Sequence, residues 1–152
     1  MSDQNEHEDL IERLESTVER GLGYFLGQGR ASDVKVGDWG VWEVLCHMVY
    51  WHQATVNGVE AIAAGGDPYL IDGETDEVND RIISSMAGRS SDELAEDIRG
   101  LQSRLSSAVR GMGDPTVTVF IRQSGASASA LDRVEQITRH WQSHVDELTA
   151  AD

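Results

Sequence analysis

The sequence predicts an all-α protein, a four-helix bundle with one short extra helix and one short extended segment. Three observations carry this expectation. Four long segments repeat apolar residues at three-to-four spacing, each is closed by glycine- or proline-containing stretches or opened by a capping residue, and 152 residues suit one domain with a proper core. Residues 1–152 are therefore read as a single bundle domain.

In the first segment Ile11, Leu14, Val18, Leu22 and Phe25 share a stripe that ends near Gly27 and Gly29. The second opens at "GDWGVWEVL", with Asp38 as the expected N-cap, and runs through Val41, Leu45, Met48, Ala54, Val59 and Ile62 until "GGDP" stops it. A shorter helix is expected over about 75–87, where Val78, Ile82 and Met86 share a face. The third long segment opens at "SSDEL", where Ser90 and Glu93 have capping-box spacing, and continues through Leu94, Ile98, Leu101, Leu105 and Val109. The fourth starts near Ser129, with Asp132 three residues on, and follows Val134, Ile137, Trp141, Val145 and Leu148. The stretch "TVTVFIRQ", 116–123, is rich in β-branched residues. It reads either as a short strand beside "DVKV" at 33–36 or as an extended linker. The acidic run "DGETDEVND" lacks the ligand spacing of an EF-hand and reads as a solvated loop.

Twelve Lys and Arg stand against 27 Asp and Glu, a formal net charge of -15. No run of basic residues is present to neutralise phosphates, which excludes nucleic acid, and the same repulsion excludes an anionic membrane surface. No stretch approaches the ~18 apolar residues of a membrane span. The polar, acidic start "MSDQNEHEDL" is not a signal peptide. The single cysteine, Cys46, allows no internal disulfide. A cytoplasmic protein is expected.

The residues that suggest chemistry are histidines. His140 and His144 lie four apart in "TRHWQSHVDEL", so on a helix they share a face. They flank the Ile137/Trp141/Val145 seam and can turn inward. His47, on the border of the second helix's apolar stripe, is a third candidate ligand from another helix. Three imidazoles would leave coordination positions open, the pattern of a catalytic rather than a structural site. The spacing alone is weak, since five histidines scattered at random give a four-apart pair about one time in eight. Glu43, one turn before His47, is the candidate catalytic residue: a general base, a fourth ligand or a carboxylate supporting a ligand, against the plain reading of a helix-start glutamate. His52 points about 140° from His47 and Cys46 about 100° from it. His52 is thus read as a surface or supporting residue, and Cys46 as a buried thiol rather than a nucleophile. Trp51 either walls a pocket or belongs to the core.

In combination these segments resemble a known family. "WGVWEVLCHMVYWHQATVNGVEAIAAGG" resembles the second helix of the DinB-like superfamily: a tryptophan near its start, a short apolar run, a ligand histidine and an aromatic. "DGETDEVNDRIISSMAGRSSDELAEDIRGL" resembles the segment that follows, including an asparagine at Asn79. "ITRHWQSHVDEL" resembles the last helix, where the family carries a ligand pair four apart. The superfamily includes bacillithiol transferases and the metal-binding domain of mycothiol-dependent maleylpyruvate isomerases. By position, its metal triad falls on His47, His140 and His144. The isomerase group has a glutamate at the place of His140, and often a further C-terminal domain. Here residue 140 is a histidine and no second domain is expected.

The resemblance implies a divalent metal, zinc or nickel, and a low-molecular-weight thiol such as mycothiol or bacillithiol, transferred to a small electrophile or used in a related isomerisation. If a metal-bound water is the nucleophile instead, the activity is a hydrolase. A third reading is a non-catalytic stress or self-protection protein that binds its ligand in the same cavity. A homodimer through the long helices is also implied.

Overall fold

A computed structural model of the protein describes residues 2–71, 75–122 and 124–151. Four long helices form the frame: α1 (Ser2–Leu26), α2 (Val41–Ala63), α4 (Ser91–Arg110) and α5 (Ala130–Ala151). A shorter helix, α3 (Thr75–Ser85), packs against α2. Helix α2 lies against α4 and α5, and α1 against α5 and α4, so the four close a ring around one core. Into that core go Leu14, Leu22 and Phe25 from α1, Leu45 and Met48 from α2, Leu94, Ile98 and Leu105 from α4, and Ile137, Trp141 and Leu148 from α5. These are the stripes anticipated from periodicity, and the mostly α, bundle-type fold is as expected.

Two helix starts follow the sequence signals. Ser90 Oγ accepts from the Glu93 amide at 3.1 Å, and the Glu93 carboxylate accepts from the Ser90 amide at 3.4 Å. Ser129 and Asp132 exchange the same pair of bonds, at 3.1 and 3.0 Å. The start of α2 differs from expectation. Its N-cap is Gly40, without a side-chain cap, because Asp38 is used elsewhere. Strands β1 (Lys35–Val36) and β2 (Trp39–Gly40) pair antiparallel around a two-residue turn, Gly37-Asp38. Gly37 takes φ +63°, the left-handed conformation that short hairpin turns require.

The segment at 116–123 is a strand, β4 (Thr118–Ile121), but its neighbours are not residues 33–36. It runs parallel to β3 (Tyr69–Leu70) and antiparallel to β5 (Ser127–Ser129). Val119 and Phe120 are both buried, so the strand is covered on both faces and a plain alternation would not suit it. Gly58 of α2 makes this possible: a Cβ there would collide with the Val119 carbonyl. The run read as a solvated loop begins at 72–74, outside the described residues, but from Thr75 onward it is the opening of α3. Helix α3 stops at Ser85, slightly short of the expected end. Among the described residues, no helix is long and apolar enough to cross a membrane.

Candidate metal centre

His47 and Trp51 occupy the face of α2 turned toward α5, one turn apart. His140 and His144, one turn apart on α5, face them. The structure brings the three rings together. His47 Nε2 lies 2.8 Å from His140 Nε2, which lies 2.9 Å from His144 Nε2, and one nitrogen from each ring falls within 4.8 Å of the others. The β1–β2 hairpin brings Trp39 against His47, with ring centroids 5.0 Å apart. Helix α3 delivers buried Asn79, whose Oδ1 is 2.9 Å from His47 Nδ1.

The Asn79 contact fixes how His47 presents itself. An amide oxygen can only accept, so Nδ1 carries the hydrogen and Nε2 is left with its lone pair. The Trp51 indole N–H, 3.2 Å from the same Nδ1, requires the opposite tautomer and is the longer of the two contacts. With His47 Nε2 bare, only a hydrogen on His140 Nε2 can fill the first contact, and a His140 Nε2 that carries it cannot accept from His144. No assignment of neutral rings that keeps the Asn79 bond gives each contact its own hydrogen. The rings also resist charging: burial pushes His47 down to about 4, helped by His144, and pushes His140 lower still, helped by His47 and then His144. Burial lowers His144 too. Three imidazoles resisting protonation, with one nitrogen each gathered at one place and one ring oriented by a buried amide, are a donor set that a divalent metal ion accepts.

Beside the histidines opens a cavity of about 400 Å³. His47, Trp51, His140 and Ser143 line it together with Arg122, Arg133, Gln136 and Arg139. The arginines were not anticipated. Arg133 precedes His140 by seven residues and so shares its helical face, a signal present in the sequence. Arg122 arrives from the end of β4, which nothing local announces.

Glu43 is half-buried in the first turn of α2. Its carboxylate points back toward Gly40, about 3.7 Å from where a Cβ would stand, and it does not line the cavity. Cys46 is buried, and desolvation, with Glu43 adding to it, pushes its thiol up to about 12, which suits a packing residue. His52 is not on the surface. It is fully buried, its Nε2 donates to Gln102 Oε1 across 2.8 Å, and its Nδ1 accepts from the Trp141 indole N–H at 3.4 Å. Its offset of five residues from His47, about 140° around a helix, turns it to the α4 side of α2, where Gln102 meets it, and α2 is buried there as well.

No curated protein matches this sequence. Two solved structures are similar to it, both of a mycothiol-dependent maleylpyruvate isomerase and one of them a point mutant, with TM-scores of 0.75 and 0.74 at 17% and 16% identity. Each likeness covers 95% of this chain and 60% of the other, so the chain spans three fifths of the length of those enzymes and shares their fold. In sequence, residues 27–146 match the family described as the mycothiol maleylpyruvate isomerase N-terminal domain, and the chain belongs to that DinB-like family.

Proposed function

We propose that this protein is a metal-dependent thiol S-transferase or a closely related thiol-dependent isomerase, with His47, His140 and His144 as the ligands of one divalent ion, zinc or nickel. The observation that carries the reading is the convergence of the three ring nitrogens, with contacts of 2.8 and 2.9 Å between them. When bound, the ion would lower the pKa of a coordinated thiol enough to make thiolate prevail near neutral pH. The chain's own residues do the rest. Asn79 holds the His47 Nδ1 hydrogen, so that Nε2 faces inward. Trp39 and Trp51 pack around His47 and keep water from its ring. The cavity next to His140 is the place for the thiol's electrophilic partner. Mycothiol, named in the two similar enzymes, is the thiol to try first.

The experiment joins binding to turnover. Untagged protein loaded with zinc or nickel should hold one ion per chain. His144→Ala should lose stoichiometric binding while keeping the helical circular dichroism, because the apolar stripes do not depend on that ring. The loaded wild type should consume mycothiol in the presence of a small unsaturated electrophile. Product mass separates thiol addition from hydrolysis. Absence of stoichiometric metal in the wild type overturns the reading, and metal binding with turnover no better than background leaves a binding protein.

A further inference from the structure

Two sets among the eleven arginines of this protein differ in their surroundings. Arg30, Arg89, Arg99, Arg104 and Arg110 each hold a carboxylate on the outside of the bundle. Arg122, Arg133 and Arg139 line the cavity beside the histidines, and among the described residues no ion pair neutralises any of them. In a chain of net charge -15, acidic groups are abundant, yet among the described residues none pairs with these three.

Arg133 is the unusual member. It is only 3% exposed, and a buried guanidinium without a counter-charge is costly. Its surroundings orient it without neutralising it. Thr55 Oγ1 accepts from Nε and Nη2, each at 3.1 Å, and Gln136 Oε1 accepts from Nη1 at 2.7 Å. Thr55 is held in turn by donating to the Trp51 carbonyl at 2.9 Å. These bonds use three of the guanidinium's five N–H donors. Its carbon sits 4.3 Å from the Phe120 ring centroid, and that of Arg122 sits 5.3 Å from the Trp51 centroid. Both guanidinium groups are therefore seated on aromatic faces, with N–H edges left to meet an acceptor. Burial, with Arg122 adding to it, draws Arg133 down to about 10, a repulsion that a bound anion would relieve.

We infer that Arg133, Arg122 and Arg139 form a subsite for the carboxylate of a small anionic substrate, with Arg133 as its buried anchor. This extends the proposed function, since it names the class of molecule that would occupy the cavity beside the histidines. A guanidinium edge matches the two coplanar oxygens of a carboxylate. The volume, about 400 Å³, is that of a small-molecule site. The overall negative charge does not prevent this, because beyond about 8 Å it is screened at physiological salt and the charged side chains lining the cavity are arginines.

The test uses metal-free full-length protein, so its outcome is independent of the histidine centre. Isothermal titration with succinate should show binding that neutral succinamide does not reproduce. Arg122→Gln, at a half-buried position outside the helices, should weaken succinate by about tenfold, as should Arg133→Lys, which keeps a charge but loses the planar fork. Both variants should retain the wild-type circular dichroism and, if the metal reading holds, the wild-type metal stoichiometry. Succinate affinity within twofold of wild type in Arg122→Gln, succinamide binding as well as succinate, inorganic phosphate binding more tightly than succinate, or no succinate binding at all would each overturn the carboxylate subsite. None of those results would touch the metal assignment, and a failure to bind metal would leave the succinate result standing.

Discussion

Asn79→Ala probes the centre at the one place where protein, rather than ligand, decides the state of a ring. In the wild type the His47 Nδ1 hydrogen goes to Asn79 Oδ1 at 2.9 Å, in a position only 7% exposed. Alanine removes that acceptor, and burial keeps bulk water from replacing it. The remaining partner of Nδ1 is the Trp51 indole N–H at 3.2 Å, which bonds only a bare Nδ1. The variant therefore favours moving the hydrogen to Nε2, the atom that must be bare to bind a metal. Loss of such an outer partner typically costs 10–100-fold in metal affinity, about 1.4–2.7 kcal/mol. Competition against a chromophoric chelator at neutral pH reads this directly, and long-range nitrogen NMR of the metal-free ring reads the tautomer. Asn79→Asp supplies a stronger acceptor and should bind metal at least as well as wild type. Trp51→Phe removes the competing donor and should not weaken binding. An Asn79→Ala variant that folds and binds metal within twofold of wild type would refute the tautomer argument.

Three further outcomes follow from the same geometry. His52 is fully buried and its pKa is lowered by desolvation to about 4, whereas an unfolded chain takes up that proton near 6.5. The unfolded state thus binds more protons between those values, and metal-free protein should lose stability as pH falls from about 6.5 toward 4, by about 3 kcal/mol from His52 alone; urea midpoints that stay flat across that window would contradict the burial. Gly58→Ala drives a Cβ into the Val119 carbonyl and should cost about 2 kcal/mol or more, seen as a lower Tm. Glu43 keeps its carboxylate away from the cavity, so Glu43→Gln should change kcat less than threefold, whereas a fall of about 10²-fold or more, the size of a lost general base, would give it the catalytic role its position before His47 suggests.

The parts of this molecule that were legible in the sequence are those written in local period. The stripe from Ile11 to Phe25, the Ser90/Glu93 box and the four-apart pair on α5 each depend on residues within a turn or two of one another. What escaped depends on where a distant element arrives. Asp38 satisfies the cap pattern, but Gly37 beside it makes a tight hairpin cheaper than an early helix start. The partner of 118–121 is residues 69–70, about fifty positions away, and is permitted by the missing side chain at Gly58. His52 turns out to be buried because α2 is covered on several sides, by α4, α5, α3 and β4, so an angle measured from His47 does not lead to solvent. Arg122 reaches the cavity only because β4 crosses behind α2. His47 and the α5 pair were legible as candidates, but their meeting point is a property of the helix pairing.

The charge of the centre sets what it can attract. His47, His140 and His144 are neutral donors, and no carboxylate joins the group of ligand-type side chains among the described residues. A divalent ion held by such a set would keep its full double charge, where an acidic ligand at residue 140 would cancel half of it. The arginines lining the same cavity add positive charge, and among the described residues no ion pair neutralises them. In the proposed site, histidine at 140 and the unpaired Arg133 would therefore act in the same direction, toward anions: a thiolate at the ion and a carboxylate at the guanidinium edge. His140→Glu separates these contributions. It should keep metal, because a carboxylate is an acceptable ligand, but raise the pKa of a bound thiol, since less of the ion's charge is left to stabilise the thiolate. The pH midpoint of turnover should then move upward. A midpoint that stays fixed or falls would show that the net charge of the ligand set does not govern the reaction.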